Sequence, residues 1–187
     1  MVYKESPVGE RIWRDLIVAP RWIPPANTPG RDLIRRTRQG FEVKRDLVGP
    51  SYASAYGLMM LIHHRKDSSS VLTDQGIRTH GSVSYSSIHQ GTSHGCHRLH
   101  NHRAVRLGNF LLRHRRHRIH GEEPLALRPR FAWRNRPIRL DFATRGFRYE
   151  LTPPVPVEVQ RGNIVGKLEK ASHRVYRLPA NVARHHR

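Results

Sequence analysis

Short apolar runs of strand length, separated by prolines and glycines, are the feature that most constrains the fold of this chain. Residues 13–18, 55–62 and 76–81 form such runs before the middle of the chain. Proline supplies no ladder donor and glycine favours turns, so each breaker limits a strand to a few residues. After residue 121 the same pattern recurs in residues 130–133, 138–142, 147–151 and 155–159. The pattern predicts a mainly β fold.

Other segments predict helices and loops between these strands. We expect a short helix over residues 31–38, a polar loop over residues 63–75 that could act as a lid, and a long loop over residues 82–96 rich in Ser, Thr, Gly and His. A helix is expected after this loop, capped by Asn101. Its apolar residues recur at helical spacing and predict one buried face, made of Ala104, Leu107, Phe110 and Leu111.

The charge of the chain indicates its partners. A formal net charge of +20 over 187 residues attracts polyanions such as nucleic acid, anionic lipid or acidic wall polymers. Considered alone, this charge makes nucleic acid the default partner. The sequence contains one cysteine, which excludes an intramolecular disulfide, and no apolar run long enough to cross a bilayer.

Two short motifs surround that cysteine with the groups that thiol chemistry requires. They are Thr79-His80-Gly81 and the segment 93–99, which contains Ser-His-Gly followed by Cys96. A nucleophilic thiol needs a nearby base or positive field, and the base needs an acceptor that fixes its ring. Gly95 permits close approach of the backbone to a substrate. The motifs predict Cys96 as nucleophile and His80 as its base.

Alternatives to this interpretation remain open from the residues alone. A lone cysteine is often an inert buried thiol, and His80 could be a structural histidine at the end of a strand. The histidines near Cys96 also raise a zinc hypothesis, although their spacing fits no common zinc pattern. We therefore predict no metal. The basic run 113–118 is either a solvated surface or a contact for an anionic polymer.

The two motifs resemble the signature of the L,D-transpeptidase (YkuD-like) family. The resemblance continues through Ser87-Ile88, Arg98, Asn101 and Leu107, and the separation of His80 from Cys96 equals one common in that family. Upstream, residues 6–9, 20–25 and 49–57 are similar to its Thr-Pro-x-Gly, Pro-x-Trp-x-x-Pro and Gly-Pro segments. The resemblance covers roughly residues 6–112. Departures are His97, His89 and Arg103, where the family commonly has an aliphatic residue, a glycine and an aspartate.

The resemblance implies a reaction on peptidoglycan. Cys96 would attack a stem tetrapeptide, release its terminal D-Ala, and hold the acyl group as a thioester until an amine of a second stem forms a cross-link. His80 would take the thiol proton while the Gly81 carbonyl orients the imidazole. Further implied site residues are those of the oxyanion hole and substrate contacts, namely Ser93, His94, Gly95 and Arg98. No cofactor is implied, and carbapenems are expected to acylate Cys96.

The resemblance also implies an L,D-transpeptidase-like β-sandwich with a short helix after the cysteine. We expect residues 1–121 to form the catalytic core, without the family's first strands, residues 122–171 a β-rich extension, and residues 172–187 a basic tail with the composition of a disordered segment. The implied location is the periplasm or cell wall, although residues 1–13 lack the apolar stretch of a secretory signal. A catalytically idle module that binds anionic wall polymer or nucleic acid, and a hydrolytic L,D-carboxypeptidase, are the alternative functions.

Overall fold

The computed structural model describes residues 6–89 and 95–161, and within these ranges the chain is mainly β, as its apolar pattern predicts. The strands are β1 Gly9–Val18, β2 Ile34–Thr37, β3 Gly40–Val43, β4 Met59–Lys66, β5 Leu72–Ser82, β6 His97–His100, β7 His117–Leu127, β8 Arg130–Trp133, β9 Arg136–Arg139 and β10 Phe142–Val159. The helices are α1 Arg45–Val48, α2 Tyr85–His89 and α3 Asn101–His114, and Gly30–Leu33 forms a 3-10 turn. Among the described residues, no helix has the length and apolar character needed to cross a bilayer.

The main sheet has six strands in the order β6-β5-β4-β1-β10-β7. Neighbouring strands are antiparallel except β5 and β6, which run parallel. Two separate hairpins, β2-β3 and β8-β9, complete the strand content of the described residues. All these sheets are open, and none of them closes into a barrel within the described ranges.

Alternation of side chains along β4 and β5 gives the main sheet two different faces. On one face, Leu61 packs with Leu16 against Ala104 and Leu111 of α3. On the other face, Met60 packs with Ile17, Ile62 and the half-buried Tyr56. Because Met60 pairs with His80 in the β4–β5 register, His80 lies on the face away from α3.

The hairpin β2-β3 replaces the helix that we expected over residues 31–38. Gly30–Leu33 forms only a single 3-10 turn, and the chain then extends as β2. Arg35 on β2 contacts Glu42 on β3 at 2.6 Å and Asp46 on α1 at 3.0 Å. Arg35 thus joins β2 to β3 through a cross-strand ion pair, which local periodicity does not reveal.

A second correction concerns residues 63–75, which form most of a hairpin instead of a loop. β4 continues to Lys66 and β5 begins at Leu72, so only a short turn separates them. His63 and His64 are polar but buried, with side chains that bond to neighbouring strands. Most of the segment expected as a lid therefore belongs to the sheet.

The expected boundary at residue 121 falls inside β7, and it does not separate two sheets. β7 pairs with β10, and β10 pairs with β1 along most of its length. Strands from both sides of the boundary thus share one sheet. Of the predicted extension, residues 162–171 lie outside the described residues, as does the whole of the predicted tail, 172–187.

Candidate active site

The parallel pair β5-β6 places the two predicted catalytic residues in neighbouring segments, His80 on β5 and Cys96 directly before β6. His80 pairs with Arg98, and Thr79 with His97, in the β5–β6 register. Cys96 directly precedes β6, which places it beside Arg78, two residues before His80 on β5. Residues two apart on a strand project from the same face, so Arg78 and His80 share the face that Cys96 adjoins.

Two contacts orient the His80 imidazole, one with the backbone carbonyl of Gly81 and one with the ring of Tyr56. Its Nδ1 lies 2.8 Å from the Gly81 carbonyl oxygen, and its imidazole contacts the edge of Tyr56 with ring centroids 5.1 Å apart. A carbonyl only accepts, so Nδ1 carries the proton and Nε2 is the ring nitrogen left to accept one. Burial lowers the pKa of His80 to about 4, against the opposing effect of the Gly81 carbonyl, so the imidazole is neutral at pH 7.

Cys96 is a half-buried thiol in positively charged surroundings. Burial raises the pKa of this thiol above its ordinary value. A hydrogen bond from the Arg78 backbone N–H and the charges of Arg78 and Arg98 act in the opposite direction and favour the thiolate. At neutral pH the sulfur is therefore protonated, and its activation requires a base.

Tyr56 lies near both members of this pair. Its ring contacts His80, and burial together with the negative charge of a Cys96 thiolate raises the pKa of its hydroxyl. The sequence did not predict Tyr56 as a site residue, because its contact with His80 joins positions 24 residues apart. It forms one wall of the candidate site.

The backbone before Cys96 is oriented by Ser6. The Ser6 hydroxyl donates to the Gly95 carbonyl at 3.0 Å, and Gly95 adopts a φ of 95°, which favours glycine. In a planar trans peptide the Cys96 N–H points opposite to that carbonyl, away from Ser6. The Ser6 contact thus sets the direction of the Cys96 N–H, a type of group that stabilises oxyanions in acyl transfer. The predicted contributors Ser93 and His94 lie outside the described residues.

Asn101 anchors the site instead of capping α3, which corrects our expectation. It is the first residue of α3, completely buried, and its side chain accepts from the Leu58 N–H at 3.0 Å and donates to the Tyr52 carbonyl at 2.8 Å. A Cβ at Gly57 or at Gly81 would collide with the Asn101 side-chain oxygen. Asn101 thus holds the loop that contains Tyr56 close to Gly81 on β5.

Two arginines, one buried and one half-buried, lie around the thiol. Arg78 forms a bidentate pair with Asp74, at 2.6 and 2.7 Å, although only the arginine is buried. Arg98, predicted as a loop or substrate contact, is half-buried, and its Nε has no hydrogen-bond partner among the described residues. Arg78 was not predicted, but its place two residues before His80 is a signal that strand alternation provides.

Two histidines and a tryptophan contact one another on the α3 side of the sheet, the face opposite His80. His63 Nε2 accepts from the Trp13 indole at 3.0 Å and lies 2.8 Å from the Thr79 hydroxyl. The rings of His63 and His97 are 5.1 Å apart. Burial lowers the pKa of His63 to about 4 and also lowers that of His97. His97 is therefore neutral at pH 7 and packs beside His63.

Metal binding was the competing chemistry for these histidines. Across residues 6–89 and 95–161, no group of three or more His, Cys, Asp or Glu side chains converges closely enough to hold a metal ion. His94, part of the zinc hypothesis, lies outside these residues.

Comparisons with protein-family models, with curated proteins and with solved structures found no match to this chain. A function is therefore inferred from the chain's own residues and their arrangement.

Proposed function

We propose that this protein is a cysteine acyltransferase of the L,D-transpeptidase type, with Cys96 as nucleophile and His80 as general base. One observation carries the proposal. His80 lies on β5, and Cys96 directly precedes the parallel strand β6, opposite the position two residues before His80. The Nδ1 of His80 donates to the Gly81 carbonyl, so Nε2 is the ring nitrogen that can accept a proton. A neutral imidazole beside a protonated thiol is the arrangement that general-base activation of a nucleophile requires.

In the first half-reaction, the Cys96 sulfur attacks the carbonyl carbon after the diamino acid of a peptidoglycan stem tetrapeptide. The thiol proton passes to His80 Nε2, and the new C–S bond gives a tetrahedral oxyanion. The Cys96 N–H, whose direction Ser6 fixes through Gly95, supports donation to this oxyanion. Collapse breaks the C–N bond, the imidazolium returns its proton to the leaving amine, and D-Ala departs from a Cys96 thioester.

In the second half-reaction, a side-chain amine of another stem attacks the thioester, and His80 takes a proton from that amine. The C–S bond breaks and the thiol is restored, leaving a cross-link between two third-position residues. Water in place of the amine would give an L,D-carboxypeptidase through the same thioester. The identity of the product separates these two outcomes.

The arrangement of elements supports the same proposal at the level of the fold. A strand ending in His-Gly, a parallel strand that begins directly after the cysteine, and a helix that follows it are consistent with an L,D-transpeptidase-like sandwich. The proposed reaction occurs on the cell wall, so the proposed location is the periplasm or wall. Stem peptides are the proposed substrates, and neither a cofactor nor a metal takes part.

The test is covalent labelling followed by turnover. The wild-type protein is expected to gain the mass of one carbapenem on Cys96, seen by intact mass spectrometry and peptide mapping, and to release D-Ala from a stem tetrapeptide. Cys96→Ala should abolish both, and His80→Ala should slow adduct formation about 100-fold or more, the usual contribution of a general base. Transpeptidation predicts a dimeric product, whereas hydrolysis predicts a tripeptide.

A matched control is His102→Ala, which removes an exposed histidine from α3 while leaving the site intact. It should label at the wild-type rate. The proposal is refuted if the folded wild-type protein forms neither a carbapenem adduct nor a thioester with the tetrapeptide. Equal labelling of His80→Ala and the wild type would remove His80 from the mechanism.

A further inference from the structure

A long stretch of the chain contains no acidic residue and is rich in arginine. Between Asp74 and Glu122 the sequence has no acidic residue and no lysine, and it has eight arginines: Arg78, Arg98, Arg103, Arg106, Arg113, Arg115, Arg116 and Arg118. The last six belong to α3 or to the residues that connect it with β7 and begin that strand. The planar guanidinium of arginine can donate two hydrogen bonds to phosphate oxygens at the same time. A surface with arginines and no lysines is therefore suited to binding phosphate groups.

The outer face of α3 presents these arginines to solvent. Ala104, Gly108 and Leu111 face the sheet and are buried, whereas Arg106 and Arg113, seven residues apart, occupy the middle of the opposite face. Within the described part of the chain, none of the six arginines of α3 and its following residues forms an ion pair with a carboxylate. Among the described residues, no carboxylate therefore pairs with their charge.

Apolar side chains project from the same surface. Phe110, which the sequence pattern placed on the buried face, is 58% exposed, and Val105 is 42% exposed. Ile119 on β7 is 62% exposed and pairs with Tyr149, which packs against the cluster beneath α3, so it lies on the α3 side of the sheet. Exposed apolar groups set among arginines mark an interaction surface.

We propose that this surface, formed by α3 with Phe110 and Ile119, docks onto an anionic phospholipid bilayer. The arginines pair with headgroup phosphates, and Phe110, Val105 and Ile119 enter the boundary between headgroups and acyl chains, as in helices that lie in the plane of a membrane. The apolar residues decide between lipid and other polyanions. Hydrated wall polymers offer no apolar phase, and Phe110 already packs on His114 with ring centroids 4.5 Å apart, so it is not a platform for nucleic-acid bases.

The experiment is sedimentation of the full chain with vesicles of phosphatidylcholine, with or without phosphatidylglycerol. Binding is expected only with phosphatidylglycerol and should weaken as salt increases. The double variant Arg106→Gln/Arg113→Gln should lose about 30-fold in affinity, from the usual contribution of two arginines at an anionic surface. Phe110→Ser should weaken vesicle binding about tenfold and leave binding to an RNA or DNA duplex unchanged.

The matched control is Arg136→Gln/Arg139→Gln, which makes the same change in net charge on the exposed residues of β9. It should leave vesicle affinity within about twofold of the wild type. The proposal is overturned if this control weakens binding as much as the α3 variant, since net charge alone would then suffice. It is also overturned if the protein binds duplexes but not the anionic vesicles, or if Phe110→Ser has no effect. None of these readouts depends on Cys96.

Discussion

Replacing His63 with glutamine should make the protein markedly less sensitive to acid. His63 is only 1% exposed, and its Nε2 accepts the Trp13 indole N–H. An indole nitrogen can only donate, so Nε2 carries no proton and the ring is neutral with its hydrogen on Nδ1. Among the described residues Nδ1 has no partner, so a second proton on this ring would make a buried cation with nothing to compensate it.

The size of the expected loss in unfolding free energy follows from the pKa shift of His63. Burial lowers the pKa of His63 from 6.5 to about 4. At about 1.4 kcal/mol for each pH unit, this interval corresponds to about 3 kcal/mol of unfolding free energy. Because the unfolded chain binds the proton first, this stability is present above pH 6.5 and is lost as the pH falls from 6.5 towards 4. His80 has the same pKa of about 4 and adds an equal slope.

The assay is urea unfolding at a series of pH values between 4.5 and 8, followed by circular dichroism. In the wild type, His63 and His80 together should give a slope near 2.7 kcal/mol per pH unit below pH 6, and His63→Gln should reduce it by about 1.4 kcal/mol per pH unit. Glutamine can place an oxygen where Nε2 lies, so its cost at pH 8 should be on the order of 1 kcal/mol. His102→Gln, at an exposed position, serves as the control. A slope equal in His63→Gln and the wild type would refute the reasoning.

Three further predictions concern the candidate site. Asn101→Ala should lower the unfolding free energy by about 2–4 kcal/mol, measured by urea unfolding, since two buried backbone groups lose their partner. The rate of carbapenem acylation of Cys96 should be flat from pH 5 to 8, because His80 stays neutral above about 4 and burial raises the pKa of the thiol; a limb near pH 6.5 would contradict this. Asp74→Asn should increase alkylation of Cys96 by iodoacetamide at pH 8 about two- to fourfold, since the charge of Arg78 then acts unopposed on the thiolate; an unchanged rate would argue against that influence.

The sequence allowed Cys96 and His80 to be proposed as a pair, because each has its glycine neighbour at short range in the chain, and the structure has their two segments side by side. Tyr56, Ser6 and the anchoring role of Asn101 could not be predicted in the same way. Asn101 bonds to backbone groups 43 and 49 residues away, and Ser6 bonds to a carbonyl 89 residues away. Such contacts exist only once the sheet has formed, and no local pattern records them.

The errors in the predicted fold have a related cause. A polar side chain can be buried, and an apolar side chain can be exposed. Residues 63 and 64 looked like part of a loop because histidine is polar, yet each finds partners on adjacent strands and is buried. Phe110 looked like a core residue because it is apolar, yet α3 turns it outwards. A periodicity argument assigns the face of a helix from its majority, and Ala104 and Leu111 define that face correctly.

The two proposals occupy opposite sides of one sheet, which makes them separable. Leu61 pairs with Thr79 and packs under α3, whereas Met60 pairs with His80 on the other side. A protein lying on a membrane through α3 would therefore keep the His80 side facing away from the lipid, towards a substrate in the aqueous phase. Cys96→Ala should then bind anionic vesicles like the wild type, and Arg106→Gln/Arg113→Gln should form the carbapenem adduct at the wild-type rate. If vesicles instead blocked acylation of the wild-type protein, the site and the lipid surface would have to share a face, and the orientation argued from strand alternation would be wrong.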